Sequence, residues 1–336
     1  MTTLPEPINT PLRGGATLRW GVLAPGGIGR TWVSGLQGHT DQPVVAVASR
    51  SLQRAEEFAR EYGIERAYGE YEQLITDPDI EAVYVAAPHS EHLRLGLMAI
   101  AAGKHVLIEK PIGVTADQAR ELKAAGIAAG VLVMEAMWSR YLPHITVIAQ
   151  LLADGALGDV RSVSADLGAK FPVDFSSRMY DPALGGGALL DLGVYPAWFA
   201  HFALGAPQAV TARGTLTPTG VDEQAGLVLD YPTGAQAVLA TSLAVSTPVR
   251  GAISGTAARV EIGSFFFTPG GFELIDGKDR TVFLDHAPEG SGHAYQATAF
   301  AQYVADGLLD SPLHSMDDTI AVLKVLDSAR AQLGAL

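Results

Sequence analysis

Apolar residues follow two different rhythms along this chain. Up to Met134 they come as short unbroken runs: Leu18-Arg19-Trp20-Gly21-Val22-Leu23, Val44–Ala48, Ala82–Ala87, His105–Ile108 and Val131–Met134. Runs of this length without alternation suit strands buried on both faces. Amphipathic stretches with helix punctuation lie between them. One opens in the glycines after Leu23 and continues to about Leu36. A second spans Ser51–Tyr62 and stops at Gly63. A third opens at Pro88-His89-Ser90-Glu91-His92 and runs to about Ala102, with Gly103 as its stop. A fourth begins at Thr115-Ala116-Asp117-Gln118, a capping-box pattern, and runs to Gly130. Regular alternation of strand and helix predicts a doubly wound parallel sheet.

After Met137-Trp138-Ser139-Arg140-Tyr141 the rhythm changes. A helix is expected around His144–Ala153, and Val160–Leu167 alternates like a strand covered on one face. Strand-like runs follow near Ala209–Leu216, Ala225–Leu229, Gln236–Leu243, Ala258–Ile262 and Phe272–Ile275. Pro-Thr-Gly at 218–220 and at 232–234, then Pro-Gly-Gly at 269–271, supply the turns. Successive strands without intervening helices predict a mostly antiparallel sheet. A last helix is expected over about Asp317–Leu333. The resulting fold class is α/β, a parallel doubly wound domain over 17–138 and an α/β domain with a large open sheet over 139–336. Residues 1–16, rich in Pro, Thr and Gly, read as a flexible tail.

Composition removes several chemistries. The chain has 336 residues and no cysteine, which excludes disulfides, thiolate metal sites and cysteine nucleophiles. Its net charge of −13 comes without any Lys/Arg-rich block, so no nucleic-acid or anionic-membrane partner is expected. No apolar stretch reaches membrane-span length and no basic-then-apolar leader opens the chain, so a cytoplasmic location is expected.

The candidate chemistry sits where the runs end. Ala24-Pro25-Gly26-Gly27-Ile28-Gly29 joins a strand to a helix, and Gly26, Gly27 and Ile28 are placed to let a pyrophosphate approach the helix N-terminus. Ser49-Arg50-Ser51, with Arg54 a turn later, stands where a site for NAD usually carries Asp or Glu. A hydroxyl and two guanidiniums suit a 2′-phosphate, which favours NADP over NAD. The competing reading makes Arg50 and Arg54 a solvated face, with Glu56 or Glu57 pairing with Arg54. Ala87 ends the third run and His89 and His92 follow it, at the expected nicotinamide edge. His89 and His92 lie three apart, but no third ligand is evident, so no metal is expected. Glu109-Lys110-Pro111 ends the fourth run, where a lysine is aimed at whatever binds outside the strand ends. Gly185-Gly186-Gly187-Ala188-Leu189-Leu190-Asp191-Leu192-Gly193-Val194-Tyr195-Pro196 places a carboxylate and a phenol four apart in an apolar segment. On a helix they share a face, and burying both is costly without partners or a purpose.

Together the glycine turn, Pro88-His89-x-x-His92, Glu109-Lys110-Pro111 and the segment from Gly185 to Tyr195 resemble the Gfo/Idh/MocA oxidoreductase family, over about Arg19 to Gly334. Met134–Arg140 and Tyr195 are most similar to its branch of dihydrodiol and NADP-dependent D-xylose dehydrogenases. Two positions depart from the family pattern: Ala24 replaces the first glycine, and His89 the commoner asparagine. The resemblance implies hydride transfer between a nicotinamide and a hydroxyl-bearing carbon of a small sugar or diol, an aldose such as D-xylose or D-glucose or a trans-dihydrodiol. Lys110 and Tyr195 are the implied catalytic pair, with Lys110 lowering the tyrosine's pKa so that it acts as a base. Asp191 would orient the substrate or Lys110, and Glu109 would help hold the cofactor. Trp138, Arg140, Phe171 and Arg178 are expected on the substrate side. The alternatives are a keto-sugar reductase, a sugar–sugar redox enzyme that retains its cofactor, and a non-catalytic dinucleotide-binding regulator. A homodimer or larger assembly is expected to cover the open sheet.

Overall fold

A computed structural model describes residues 4–285, 287–288, 290 and 292–335. The first apolar runs form strands β1 (Trp20–Leu23), β2 (Val44–Ala48), β3 (Arg66–Tyr68), β4 (Ala82–Val85), β5 (His105–Glu109) and β6 (Val133–Ala136). They make one sheet in the order β3-β2-β1-β4-β5-β6, with every pairing parallel. Order reverses beside β1, so the crevice outside β1 and β4 is a topological switch point. The crossovers are α1 (Gly27–His39), α2 (Leu52–Tyr62), α3 (Tyr71–Ile75), α4 (His92–Ala101) and α5 (Ala116–Ala129). Ser51 caps α2 and Gly63 ends it in the left-handed conformation at φ 64°. The capping box expected at α5 is only half formed. The Thr115 hydroxyl accepts from Gln118 N–H, but the Gln118 amide oxygen reaches back one residue further, to Val114 N–H at 2.9 Å.

The second half is built from α6 (Pro143–Ala153), β7 (Val160–Gly168), α7 (Val194–Leu204), β8 (Ala209–Leu216), β9 (Asp222–Asp230), β10 (Gln236–Ser242), β11 (Gly251–Gly255), β12 (Arg259–Ile262), β13 (Phe272–Asp276), β14 (Asp279–Phe283), α8 (Gly292–Ala305) and α9 (Met316–Leu333). Its eight strands run in the order β14-β13-β12-β11-β7-β10-β9-β8. Pairing is antiparallel except between β7 and β10, which are parallel. One face carries α7, and the other alternates polar and apolar residues outward.

Three expectations change. The sequence pattern does not announce β3, β11, β14 or α8. Strand β11 begins at Gly251, where a Cβ would stand 3.0 Å from the Phe199 ring, so packing demands glycine inside a strand. Helix α8 is buried around most of its circumference, so no polar stripe marks it. It packs back on the first domain, with the Phe300 ring 5.1 Å from Trp20. The tail, expected to be loose, lies against the body from residue 4 onward. Ile8 N–H donates to Thr146 Oγ1 at 3.1 Å, Asn9 donates to Tyr141 O at 2.6 Å, and Arg13 pairs with Asp41 at 3.0 Å.

The core of the first domain is aromatic. Trp32 stacks on Tyr84 at 4.2 Å, and Trp20 meets Trp32 edge-on at 5.2 Å. All three rings are fully buried, each worth about 1.5–3 kcal/mol or more of hydrophobic stabilisation. That rigid sheet fixes the positions of Ala24, Ala87 and Lys110 at its carboxyl edge. No described helix is long and apolar enough to cross a membrane.

Candidate active site

The crevice outside β1, β4 and β5 is a cleft of about 580 Å³ that continues under α7 to Tyr195 and His293. At its floor the chain turns from β1 into α1. Ala24 stands at φ 55°, the left-handed region glycine prefers, so the residue that departs from the glycine pattern carries the strain of this turn. A Cβ on Gly26 or Gly27 would meet nothing within 4 Å, and no side chain caps α1. The first N–H groups of α1 therefore face the cleft with open space before them. Backbone donors and the positive end of the helix dipole are what a pyrophosphate requires. At the end of β2, Arg50 and Arg54 are exposed, and neither pairs with a carboxylate among the described residues. Glu57 accepts from Gln53 at 2.9 Å instead of meeting Arg54.

At the other end of the cleft, Asp191 is the electrostatic hub. It sits in a π-helical turn, Leu189–Gly193, that leads into α7. The turn forms because Gly187, at φ 114°, lets the buried Asp222 carboxylate come close, where it accepts from Leu189 N–H at 2.6 Å. A Cβ on Gly187 would stand 2.4 Å from that carboxylate. Asp191 Oδ1 accepts from Arg178 Nη1 at 2.9 Å and lies 3.5 Å from His89 Nε2 and 3.6 Å from Lys110 Nζ. Burial alone would raise the Asp191 pKa. The Lys110 charge, a hydrogen bond from His89 and the Arg178 charge outweigh it and hold the carboxyl well below the usual range. Lys110 is buried too, but Asp191 and the neighbouring Tyr195 and Glu109 keep it firmly protonated, above its ordinary value.

Lys110 Nζ donates to the Asp191 backbone carbonyl at 2.7 Å and lies 4.9 Å above the centre of the Tyr195 ring. The phenol oxygen itself accepts from the Trp138 indole N–H at 2.9 Å. With its lone pair engaged by Trp138, the Tyr195 proton is directed to other acceptors. The tyrosine pKa does not move as the sequence suggests. Burial pushes it up more than Lys110 and Trp138 pull it down, and the Glu109 charge adds to the rise, leaving it at about 12. The resident form is the neutral phenol.

The remaining expected residues divide. His89 lines the cleft, and its Nδ1 donates to Gly185 O at 3.0 Å. His92 is fully buried. Its two ring nitrogens lie 2.8 Å from Pro111 O and 2.8 Å from Ala87 O, so it ties together the loops that follow β4 and β5. Burial and the charges of His89 and Lys110 bring its pKa down to about 4. As a neutral ring it carries one N–H and so donates to one of these two carbonyls. Glu109, its pKa pushed up to about 7 by burial, accepts from the Tyr84 hydroxyl at 2.5 Å beneath Lys110. Trp138 and Arg178 line the cleft. Arg140 does not: the 3-10 turn Trp138–Tyr141 sends it into a separate cavity, over the Phe202 ring at 5.1 Å. Phe171 is also outside the cleft lining, with its backbone joined to Leu243 O at 2.9 Å.

Two cleft residues carried no usable sequence signal. Phe267 tilts against Tyr195 at 4.3 Å, and its run of three phenylalanines reads simply as core. His293 lies 4.6 Å from Trp138, and burial together with the Lys110 charge lowers its pKa to about 4, so it presents a neutral imidazole. The cleft therefore has a wall of Trp138, Phe267 and His293 facing a cationic cluster on one carboxylate. Such a site can orient a hydroxyl or carbonyl oxygen and exchange one proton with it.

Known proteins share the fold and much of the sequence. The profile of the oxidoreductase family with an NAD-binding Rossmann fold matches residues 18–137, and that of the GFO/IDH/MocA C-terminal domain matches 145–261. A trans-1,2-dihydrobenzene-1,2-diol dehydrogenase from Xenopus laevis is 38% identical over 328 residues, covering 95% of this chain and 98% of the relative. Among solved structures, an aldose-aldose oxidoreductase from Caulobacter crescentus superposes with a TM-score of 0.86 at 26% identity, covering 94% of this chain and 97% of that one. A 3-ketoreductase from Actinomadura kijaniata, solved with NADP and TDP-benzene, superposes with a TM-score of 0.80 at 28% identity, covering 94% and 98%. A Rossmann domain with an open dinucleotide crevice, a large open sheet and full-length likeness to these dehydrogenases make this chain a member of the GFO/IDH/MocA oxidoreductase family.

Proposed function

We propose that the chain is an NADP-dependent dehydrogenase acting on a secondary alcohol of a small polyhydroxylated molecule, a trans-dihydrodiol or an aldose, with Tyr195 as the proton-transferring group. The observation that carries this reading is the Tyr195 phenol, gripped by Trp138 and overlain by Lys110, at the end of a cleft that begins at the α1 N-terminus. When bound, the nicotinamide supplies or accepts a hydride at its C4. In oxidation Tyr195 must first lose its own proton to solvent; the substrate carbon then gives up that hydride while its hydroxyl proton passes to the Tyr195 phenolate. In reduction Tyr195 donates the proton to the carbonyl oxygen. Lys110, held by Asp191, adds positive charge beside the oxygen that changes protonation, and Arg178 and His89 keep Asp191 from drawing Lys110 away. The wall of Trp138 and Phe267 suits an arene diol or the apolar face of a sugar.

The reductive direction has one specific observation in its favour. A tyrosine with a pKa near 12 is the acid that carbonyl reduction needs at neutral pH. A relative solved with NADP is named a 3-ketoreductase. Reduction of a keto-sugar is therefore the second reading, and both directions are read in the same absorbance assay.

The choice of NADP rests on Arg50 and Arg54, exposed and without a carboxylate partner among the described residues, beside a strand end that carries no acid. Substituting both by alanine is expected to weaken NADP binding about 10–100-fold, the loss of one or two charge-assisted contacts to a 2′-phosphate, and to leave NAD binding within about twofold. Fluorescence titration with both dinucleotides checks this. Equal losses for the two would show that the arginines do not read the phosphate.

The outer face of the second sheet supports a homodimer. Val238, Val282 and Leu284 are 55%, 55% and 65% exposed there, beside Arg250, Arg280, Glu261 and Glu273. A face with exposed apolar residues beside charges of both signs allows pairing with a second copy about a two-fold axis. Sedimentation equilibrium is expected to give twice the chain mass, and Val238→Arg to give the single mass. A monomeric native protein would rule the dimer out.

A further inference from the structure

The turn Trp138–Tyr141 and helix α7 each serve two cavities. Trp138 and Tyr195 face the cleft already described. Arg140, Trp198, His201 and Phe202 face a second, partly open cavity of about 390 Å³, lined also by Leu152, Leu313 and Asp318. Arg140 is the unusual member. Its guanidinium lies over the Phe202 ring at 5.1 Å and has no hydrogen-bond acceptor among the described residues, and Nη1 is buried. A guanidinium is always charged and presents five donors in a fixed plane, so burying it without an acceptor is costly.

The neighbouring carboxylates are spent elsewhere. Asp318 Oδ1 accepts from His201 Nε2 at 2.9 Å, and Oδ2 accepts from Ser315 N–H and Oγ, each at 2.8 Å. Glu135 lies behind His314 and accepts from it at 3.1 Å, from Thr319 Oγ1 at 2.9 Å and from Ile112 N–H at 3.0 Å. Arg140 is thus pre-oriented by its stacking, faces a cavity, and is left with its hydrogen-bonding capacity unused by the fold.

We propose that this cavity is a second ligand site, which takes a small oxyanion on Arg140 with any apolar body against Leu152, Phe202 and Leu313. The head group is a carboxylate or a phosphate, the two anions whose paired oxygens match a guanidinium fork. The volume exceeds what a bare ion needs, so a small organic acid or phosphate ester fits. The site is independent of the proposed reaction, although both share α7 and the 138–141 turn.

Thermal unfolding of the full chain, with saturating NADP to fill the glycine turn, tests this. The probes are inorganic phosphate and sodium benzoate, each against sodium chloride at equal ionic strength. A saturable rise in Tm of about 2 °C or more with either probe is expected, lost in Arg140→Gln. Phosphate acting alone would identify a phosphate head, and benzoate alone a carboxylate. If Arg140→Gln does not fold, Ala149→Phe decides, because it fills the cavity and leaves the guanidinium in place. No saturable shift from either probe overturns the proposal. So does a shift that survives the substitutions, since that ligand would be bound in another cleft.

Discussion

Tyr195→Phe is expected to lower kcat by about 10²–10⁴-fold while NADP binding stays within about twofold. The substitution removes one oxygen, whose hydrogen-bond partner among the described residues is the Trp138 indole. The ring keeps its contact with Phe267 and its place under Lys110, so fold and cleft shape are preserved. What is lost is the group that exchanges a proton with the substrate oxygen. The pH profile gives the sharper reading. With the phenol held near pKa 12, the phenolate needed for oxidation is scarce at neutral pH and grows with pH. Oxidation by the wild type should rise by up to about tenfold per pH unit across roughly pH 7–10, and reduction should stay flat over that range. In the phenylalanine variant this slope should vanish along with the rate.

Lys110→Met is expected to be the second largest loss, about 10²–10³-fold in kcat, accompanied by destabilisation that Tyr195→Phe does not show. Lys110 is the foremost charge that lowers the Tyr195 pKa, so without it the alkaline rise in oxidation should move to higher pH. It is also the foremost cation on Asp191. Breaking a buried pair costs about 3–5 kcal/mol, and the lower end applies because Arg178 still donates to Asp191 Oδ1. The sign with pH is fixed by the carboxylate. Its pKa is depressed in the folded chain, so its pairing stabilises above the unfolded carboxyl pKa of about 4 and is lost as pH falls through the folded value. Urea unfolding at about pH 7 should show the full loss. At about pH 3, below the unfolded value, the gap between the variant and the wild type should narrow. A variant as stable as the wild type at neutral pH would mean the Lys110–Asp191 contact is weak.

The sequence was most legible where burial is total. Apolar runs such as Val106-Leu107-Ile108 had only one way to be buried, so the parallel sheet followed from them, and the residues at their ends fell into place around one crevice. Asp191 and Tyr195 were legible as a pair, although the segment between them is a π-turn leading into α7 and not a regular helical face. Legibility failed where packing overrides local pattern. Gly251 sits inside a strand because Phe199 occupies its side-chain space, and α8 has no polar stripe because nearly all of it is buried. It failed again where adjacency misleads. Trp138 and Arg140 are two residues apart, and a 3-10 turn sends them to different cavities. His293 and Phe267 reach the cleft from distant segments, and a lone histidine or a phenylalanine run says nothing of where folding will place it. The direction of the Tyr195 pKa could not be read from Lys110 alone, because desolvation is a property of the whole surrounding packing and here it is the larger effect.

In the proposed mechanism Tyr195 exchanges the proton while a carbon-bound hydride moves to NADP. The most direct test is oxidation of trans-1,2-dihydrobenzene-1,2-diol and of D-xylose with NADP, followed by NADPH absorbance for wild type and Tyr195→Phe at pH 7 and 9. This mechanism requires wild-type turnover on at least one of the two, faster at pH 9, and a phenylalanine variant that binds NADP yet has lost most of kcat at both pH values. A phenylalanine variant with wild-type kcat and the same pH slope would contradict it.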